Sequence, residues 1–102
     1  MKYQLVLQFR ATTIEDFDKL IDLEDSLIKA LGRSHDVDGH DFGTGEMNIF
    51  VFTENPQAAF GLSKEVLRDD DLRTLKAAFR QVGTDDYQSI WPEGASEPFS
   101  VS

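Results

Sequence analysis

The sequence predicts an α+β fold: an antiparallel sheet carrying two helices on one face, with enough chain left at the C-terminal end for a further strand. Three observations predict it. The chain opens on an alternation of polar and apolar residues, passes near residue 12 into a long helical spacing, and then repeats the change from strand period to helix period. At 102 residues it has the length of one domain with one core. Residues 1–92 are assigned to that domain, and 93–102 to a flexible tail, because EGASEPFSVS is small and polar.

In MKYQLVLQFR, Tyr3, Leu5, Leu7 and Phe9 alternate with Gln4, Val6, Gln8 and Arg10, the period of a half-buried strand. The stretch TTIEDFDKLIDLEDSLIKALG then places Ile14, Phe17, Leu20, Ile21, Leu27, Ile28 and Leu31 along one broad side, which predicts a helix over about 13–31 with that side buried. Thr12 and Glu15 have the spacing of a capping box, and Gly32 suits the left-handed position just past a helix end.

SHDVDGHDFGTGEMNIFVFT reads as a hairpin, with a weak acidic edge strand, a turn around Gly43 and Gly45, and a strong strand over 46–53. Ile49, Phe50, Val51 and Phe52 form an unbroken apolar run, so the second arm of the hairpin is covered on both faces. The second helix opens with Asn55 as cap and Pro56 at the first helical position, and buries Ala59, Phe60, Val66 and Leu67. Residues 72–82 fit a strand or a third helix, and DYQSIWP fits a short final strand.

Strand, helix, strand, strand, helix, strand is the order of the split βαβ arrangement, a ferredoxin-like sandwich. Its central pair is the first and third strands, here the two most apolar. Leu5, Leu7, Phe17, Ile21, Phe60 and Leu67 are expected in one core.

The chain has no cysteine, which excludes disulfides, thiolate metal sites and thiol catalysis and fits a reducing cytoplasm. Its first residues lack the continuous apolar run of a signal peptide, and no stretch is long and apolar enough to span a bilayer. The formal charge of −9 repels phosphate backbones and anionic lipid, so neither nucleic acid nor membrane is expected as a partner, whereas a basic protein would be attracted.

Both histidines lie in HDVDGHDFGTGEMN, among aspartates. Counted from Asp36, the sixth residue is Asp41 and the twelfth Met47, where a calcium loop needs glycine and a bidentate glutamate. In a regular strand His35 and His40 would face opposite sides, which argues against a zinc pair. GLSKE at Gly61 lacks the second glycine of a nucleophile elbow, and GTGEMN lacks the third glycine and the helix of a dinucleotide fingerprint. No catalytic residue, cofactor-binding residue, metal ligand or cofactor is therefore assigned.

Two surfaces remain. Asp18, Asp22 and Asp25, with Glu15, recur at helical spacing on the side away from the apolar residues, and Asp36, Asp38 and Asp41 are expected to extend that negative surface. The second surface is the sheet face without helices, where Val6, Asn48, Phe50 and Phe52 form a patch that is either covered by the final hairpin, through Tyr87 and Trp91, or meets another chain. No Arg or Lys accompanies NIFVF, so base stacking on RNA is not expected.

VDGHDFGTGEMNIFVFTENP, followed later by SIWP, resembles a group of small acidic bacterial proteins of about this length with no assigned activity. The resemblance implies an α+β domain and carries no catalytic residues. Three functions are consistent with these readings. The first is a small acidic protein-binding module, such as an immunity-type inhibitor of a basic partner. The second is a homodimeric structural or regulatory protein joined through its sheet face. The third is a small-molecule enzyme or metal binder using His35 or His40 with nearby carboxylates.

Overall fold

A computed structural model describes residues 2–94 and 99–101. It is an α+β fold with a five-stranded antiparallel sheet and three helices, in the order β1 (Tyr3–Arg10), α1 (Ile14–Leu31), β2 (Asp36–Gly43), β3 (Glu46–Thr53), α2 (Pro56–Val66), α3 (Asp69–Thr74), β4 (Lys76–Gln81) and β5 (Gln88–Trp91). The strand order is β2-β3-β1-β4-β5. This differs from a simple split βαβ sandwich: β5 extends the sheet beyond β4, and α3 stands between α2 and β4. Residues 72–82 are thus divided, the first part closing α3 and the rest forming β4. None of the helices is long and apolar enough to cross a membrane.

Strand β1 is the middle strand, paired with β3 in a register that sets Leu7 opposite Ile49 and with β4 in one that sets Leu7 opposite Ala77. Leu5, Leu7 and Phe9 enter one core with Met47, Ile49 and Val51 of β3, Leu20, Leu27 and Leu31 of α1, and Ala59 and Phe60 of α2. Both long helices therefore lie on one face of the sheet. Trp91 of β5 joins this face, tilted against the Phe60 ring at 6.0 Å and donating its indole N–H to the Leu72 carbonyl at 2.9 Å. It does not cover the opposite face, where the sequence had left room for it.

Helix α1 begins one residue later than its first capping signal suggests. Thr13 is the N-cap: its hydroxyl accepts from the Asp16 N–H at 3.1 Å, while the Asp16 carboxylate accepts from the N–H groups of Thr13 at 3.2 Å and Thr12 at 3.0 Å. Thr12–Glu15 and Thr13–Asp16 have the same spacing. Ala11 decides between them, because its N–H still bonds across to the Gly45 carbonyl and its side chain is buried, holding the chain extended for one more residue. The predicted caps of α2 hold, with Asn55 Oδ1 accepting from the Ala58 N–H and Pro56 opening the helix.

The buried face of α1 is narrower than its apolar pattern. Leu20, Leu27 and Leu31 are buried and Phe17 and Leu23 are packed on the core edge, but Ile14, Ile21 and Ile28 are 75, 40 and 49% exposed. Ile21 is therefore not a core residue. The isoleucines recur every seven residues and the leucines at spacings of seven and four, at different angles around the helix, and one sheet contact covers only the leucines.

Leu7→Ala is expected to cost about 2 to 5 kcal/mol on chemical denaturation, because the residue is fully enclosed between sheet and helices. A loss under about 1 kcal/mol would contradict the placement of β1. The Asp16 carboxyl is held below its usual value, chiefly by the Thr12 N–H, with further donation from Thr13 and the Thr12 hydroxyl. A depressed carboxyl stabilises the fold above its unfolded pKa, and that contribution disappears as pH falls through the folded value. Asp16→Asn should therefore lower stability at pH 7, and the difference from wild type should vanish as urea denaturation is carried below about pH 3. A difference that persists in acid would mean that the amide itself disrupts the cap.

Candidate functional site

His40 of β2 and His35 just before the strand lie close to α1 and β3, and a bulge determines how. The β2–β3 register shifts between Val37 and Gly39, so the extra residue, Asp38, breaks the alternation. His35 is buried, and its Nδ1 shares a 2.7 Å hydrogen bond with the hydroxyl of Thr53, which also accepts from the Asn55 N–H at 2.9 Å. That imidazole anchors the start of β2 to the end of β3. His40 turns toward α1, where its Nδ1 lies 2.9 and 3.0 Å from the two carboxylate oxygens of Glu24. Next to it, the Phe42 ring meets the Phe17 ring edge-on at 4.7 Å.

The expected opposition of His35 and His40 thus fails at the bulge, and both turn toward the helix-bearing side. They remain engaged separately, His35 by a hydroxyl and His40 by a carboxylate. Among the described residues, no group of three His, Asp or Glu side chains is arranged to hold a metal ion. Three surface clefts lie elsewhere. One of about 510 Å³ is lined by Tyr3, Glu54, Phe79 and Asp86 among others, and those of about 230 and 180 Å³ adjoin Lys19 and Asp71 between α1 and α3. Asp71 is buried there with a structural role: it accepts from the Arg68 N–H at 3.0 Å and faces the Lys19 ammonium at 3.4 Å.

The acidic residues divide between two surfaces. Asp18, Asp22 and Asp25 are exposed on the outer side of α1 with Glu15, and among the described residues no ion pair reaches them. Asp36, Asp38 and Asp41 are exposed on β2. The register places Asp41 opposite Asn48 and Asp36 opposite Phe52, two residues on the sheet face without helices. Asp36 and Asp41 therefore face away from α1, and the single continuous acidic surface read from the sequence is in fact two.

The helix-free face is largely enclosed. Val6 and Asn48 are fully buried, Gln4 and Gln8 nearly so, and Phe50 and Phe52 half-buried, so the expected open patch is not one. Part of the cover comes from the chain's own end. The Gln8 side-chain amide donates to Asn48 Oδ1 at 3.1 Å and to the Ser100 carbonyl at 2.9 Å, while Phe99 meets the Tyr87 ring at 5.1 Å. Of the tail expected over 93–102, residues 95–98 and 102 lie outside the described residues, and 99–101 return to this face. Gln4 is tied to Arg80, whose Nε donates to it at 2.8 Å. Asn48 Nδ2 is buried and has no hydrogen-bond partner among the described residues.

The sequence reading missed the exposure of Ile14, Ile21 and Ile28. Their signal was present in two apolar sets on one helix, heptad-spaced isoleucines beside the leucines, together too wide an arc for a single contact. Glu24 as the partner of His40 carried no signal, since it depends on how α1 crosses β2.

No protein-family model, curated protein or solved structure matches this chain. The roles of its residues rest on its own geometry.

Zinc or calcium titrated into the protein is expected to show no binding tighter than about micromolar by calorimetry, because among the described residues no three His, Asp or Glu side chains are grouped to close a ligand shell. Submicromolar zinc binding that disappears in His40→Ala would contradict this.

Proposed function

We propose that this chain is a small acidic, non-catalytic protein-binding module that takes a basic protein as its partner, in the manner of an immunity-type inhibitor acting in the cytoplasm. The observation that carries the reading is the outer face of α1. Asp18, Asp22 and Asp25 stand in water there, each three or four residues from the next, and among the described residues no ion pair reaches them. Lys19, the nearest lysine in that stretch, faces Asp71 instead. Such a row repels itself and lowers helix stability by a few tenths of a kcal/mol per pair, a cost that a docked cation would remove. With the overall charge of −9, the same face steers a basic molecule toward it over about a Debye length.

The alternatives have less support. A homodimer through the sheet face would need Val6 and Asn48 accessible, and both are buried. Chemistry at His35 or His40 has no specific observation behind it: His35 is buried against the Thr53 hydroxyl and His40 is held by the Glu24 carboxylate. The fold itself supports a further reading. The β2-β3-β1-β4 core of the sheet, with α1 and α2 on one face, is consistent with a ferredoxin-like sandwich elaborated by α3 and β5.

The test is affinity capture from native extract at low salt, followed by association rates for the captured protein. Wild type should retain a basic protein whose association slows as salt rises. Reversal of Asp18, Asp22 and Asp25 to Lys should leave the circular dichroism spectrum intact and slow that association by about tenfold or more. If the rate ignores both salt and the reversal, the acidic face serves solubility and the reading is wrong.

A further inference from the structure

We infer that the partner's docking element is a basic amphipathic helix, seated along α1 on the strip formed by Ile14, Ile21 and Ile28. The inference rests on the proposed basic partner and adds the shape and chemistry of what it presents. Three β-branched side chains 75, 40 and 49% exposed on one helix are not needed by the core, which α1 reaches through Leu20, Leu27 and Leu31. Their seven-residue spacing makes a straight seam of the kind a second helix fills, about 21 Å from first to last at 1.5 Å per residue. The seam drifts about 20° per heptad around the axis, so a helix following it would cross α1 at the shallow angle of left-handed packing.

The two flanks of the strip differ. On one side, Asp18 and Asp25 stand four residues after Ile14 and Ile21, with Asp22 beyond them. The other flank is apolar or already paired. Phe17 neighbours both Ile14 and Ile21 along the helix and carries the Phe42 ring, itself 45% exposed, while Glu24 is held by His40. A matching helix therefore has one apolar seam, Lys or Arg along one border, and an apolar border opposite.

Charge complementarity selects this occupant over a second copy of the chain. An antiparallel pairing of two α1 helices about Ile21 would set Asp18 of one against Asp25 of the other, and like charges brought together across an interface are disfavoured. Lys29, one turn beyond Asp25, would lie opposite Thr13 in that pairing and not between the two aspartates. A basic helix places opposite charges at the same positions.

The test uses a synthetic peptide of about 18 residues with leucines at seven-residue spacing and lysines along one border, long enough to lie beside all three isoleucines. Its control has the same residues rearranged so that the leucines spread around the helix. Binding is followed by calorimetry and by amide chemical shifts of the full-length protein. The patterned peptide should shift resonances of α1 and Phe42. It should bind at least about tenfold more tightly than its control and lose at least about tenfold on the combined change of Ile14, Ile21 and Ile28 to Gln. If the two peptides bind alike and the glutamine variant is unaffected, while reversal of Asp18, Asp22 and Asp25 to Lys weakens both, the helix-docking inference is overturned and the basic-partner reading stands. If the charge reversal has no effect either, both are overturned. Sedimentation of the protein alone as a dimer that the glutamine variant abolishes would assign the strip to a second copy and also overturn the inference.

Discussion

Strand β1 is buried on both faces, with Leu5, Val6 and Leu7 at zero exposure, and the rest of the structure follows from covering it twice. On one side the cover is α1 and α2, brought down through Leu20, Leu27, Leu31, Ala59 and Phe60. On the other, the chain's own end contributes, with Ser100 taking a hydrogen bond from Gln8 and Phe99 resting on Tyr87. Gln4 and Gln8 can be buried there because each amide has a partner, Arg80 for one and Asn48 with Ser100 for the other. A buried amide left unpaired would cost about 1 to 3 kcal/mol.

With the inner face of α1 committed to the sheet, its remaining residues are free for other work. The leucines fix which way the helix is rolled, the Thr13–Asp16 cap fixes where it starts, and the pairing of Glu24 with His40 and of Phe17 with Phe42 ties it to the edge strand β2. That roll leaves the isoleucine seam at the shoulder of the helix and the aspartates beside it. Helix α1 thus has two faces with different purposes, one that makes the fold and one that has the composition of a binding surface. In the proposed complex the apolar seam would supply area, and the acidic border direction and rate of approach.

Much of this was legible in the sequence. The unbroken NIFVF run and the Asn55–Pro56 start of the second helix each matched a local rule that tertiary packing did not override, while the alternation in YQLVLQFR marked a strand correctly but not its burial, since the face read as exposed is buried too. Where reading failed, the deciding contacts were distant in sequence. Ala11 bonding to Gly45 chose between two equally spaced caps. The bulge at Asp38 turned both histidines to one side, against a count of five residues along a regular strand. Trp91 went to Phe60 and Leu72, and the described part of the tail took up the sheet face instead. The acidic surface appeared continuous because sequence proximity says nothing of which sheet face a strand residue occupies, and Asp36 and Asp41 lie across the sheet from α1.

The central claim is that the isoleucine seam of α1 is separate from the core, and its most direct measure is the stability of the chain with Ile14, Ile21 and Ile28 all replaced by Gln. Glutamine keeps helix propensity and covers the same neighbouring surface with its methylene stem. If the seam stands outside the core, urea denaturation of the triple variant should show a total loss below about 2 kcal/mol, less than a single buried leucine typically costs on truncation to alanine. A loss above about 4 kcal/mol, or failure of the variant to fold, would show that the isoleucines hold α1 in place and would contradict the division of the helix into two faces.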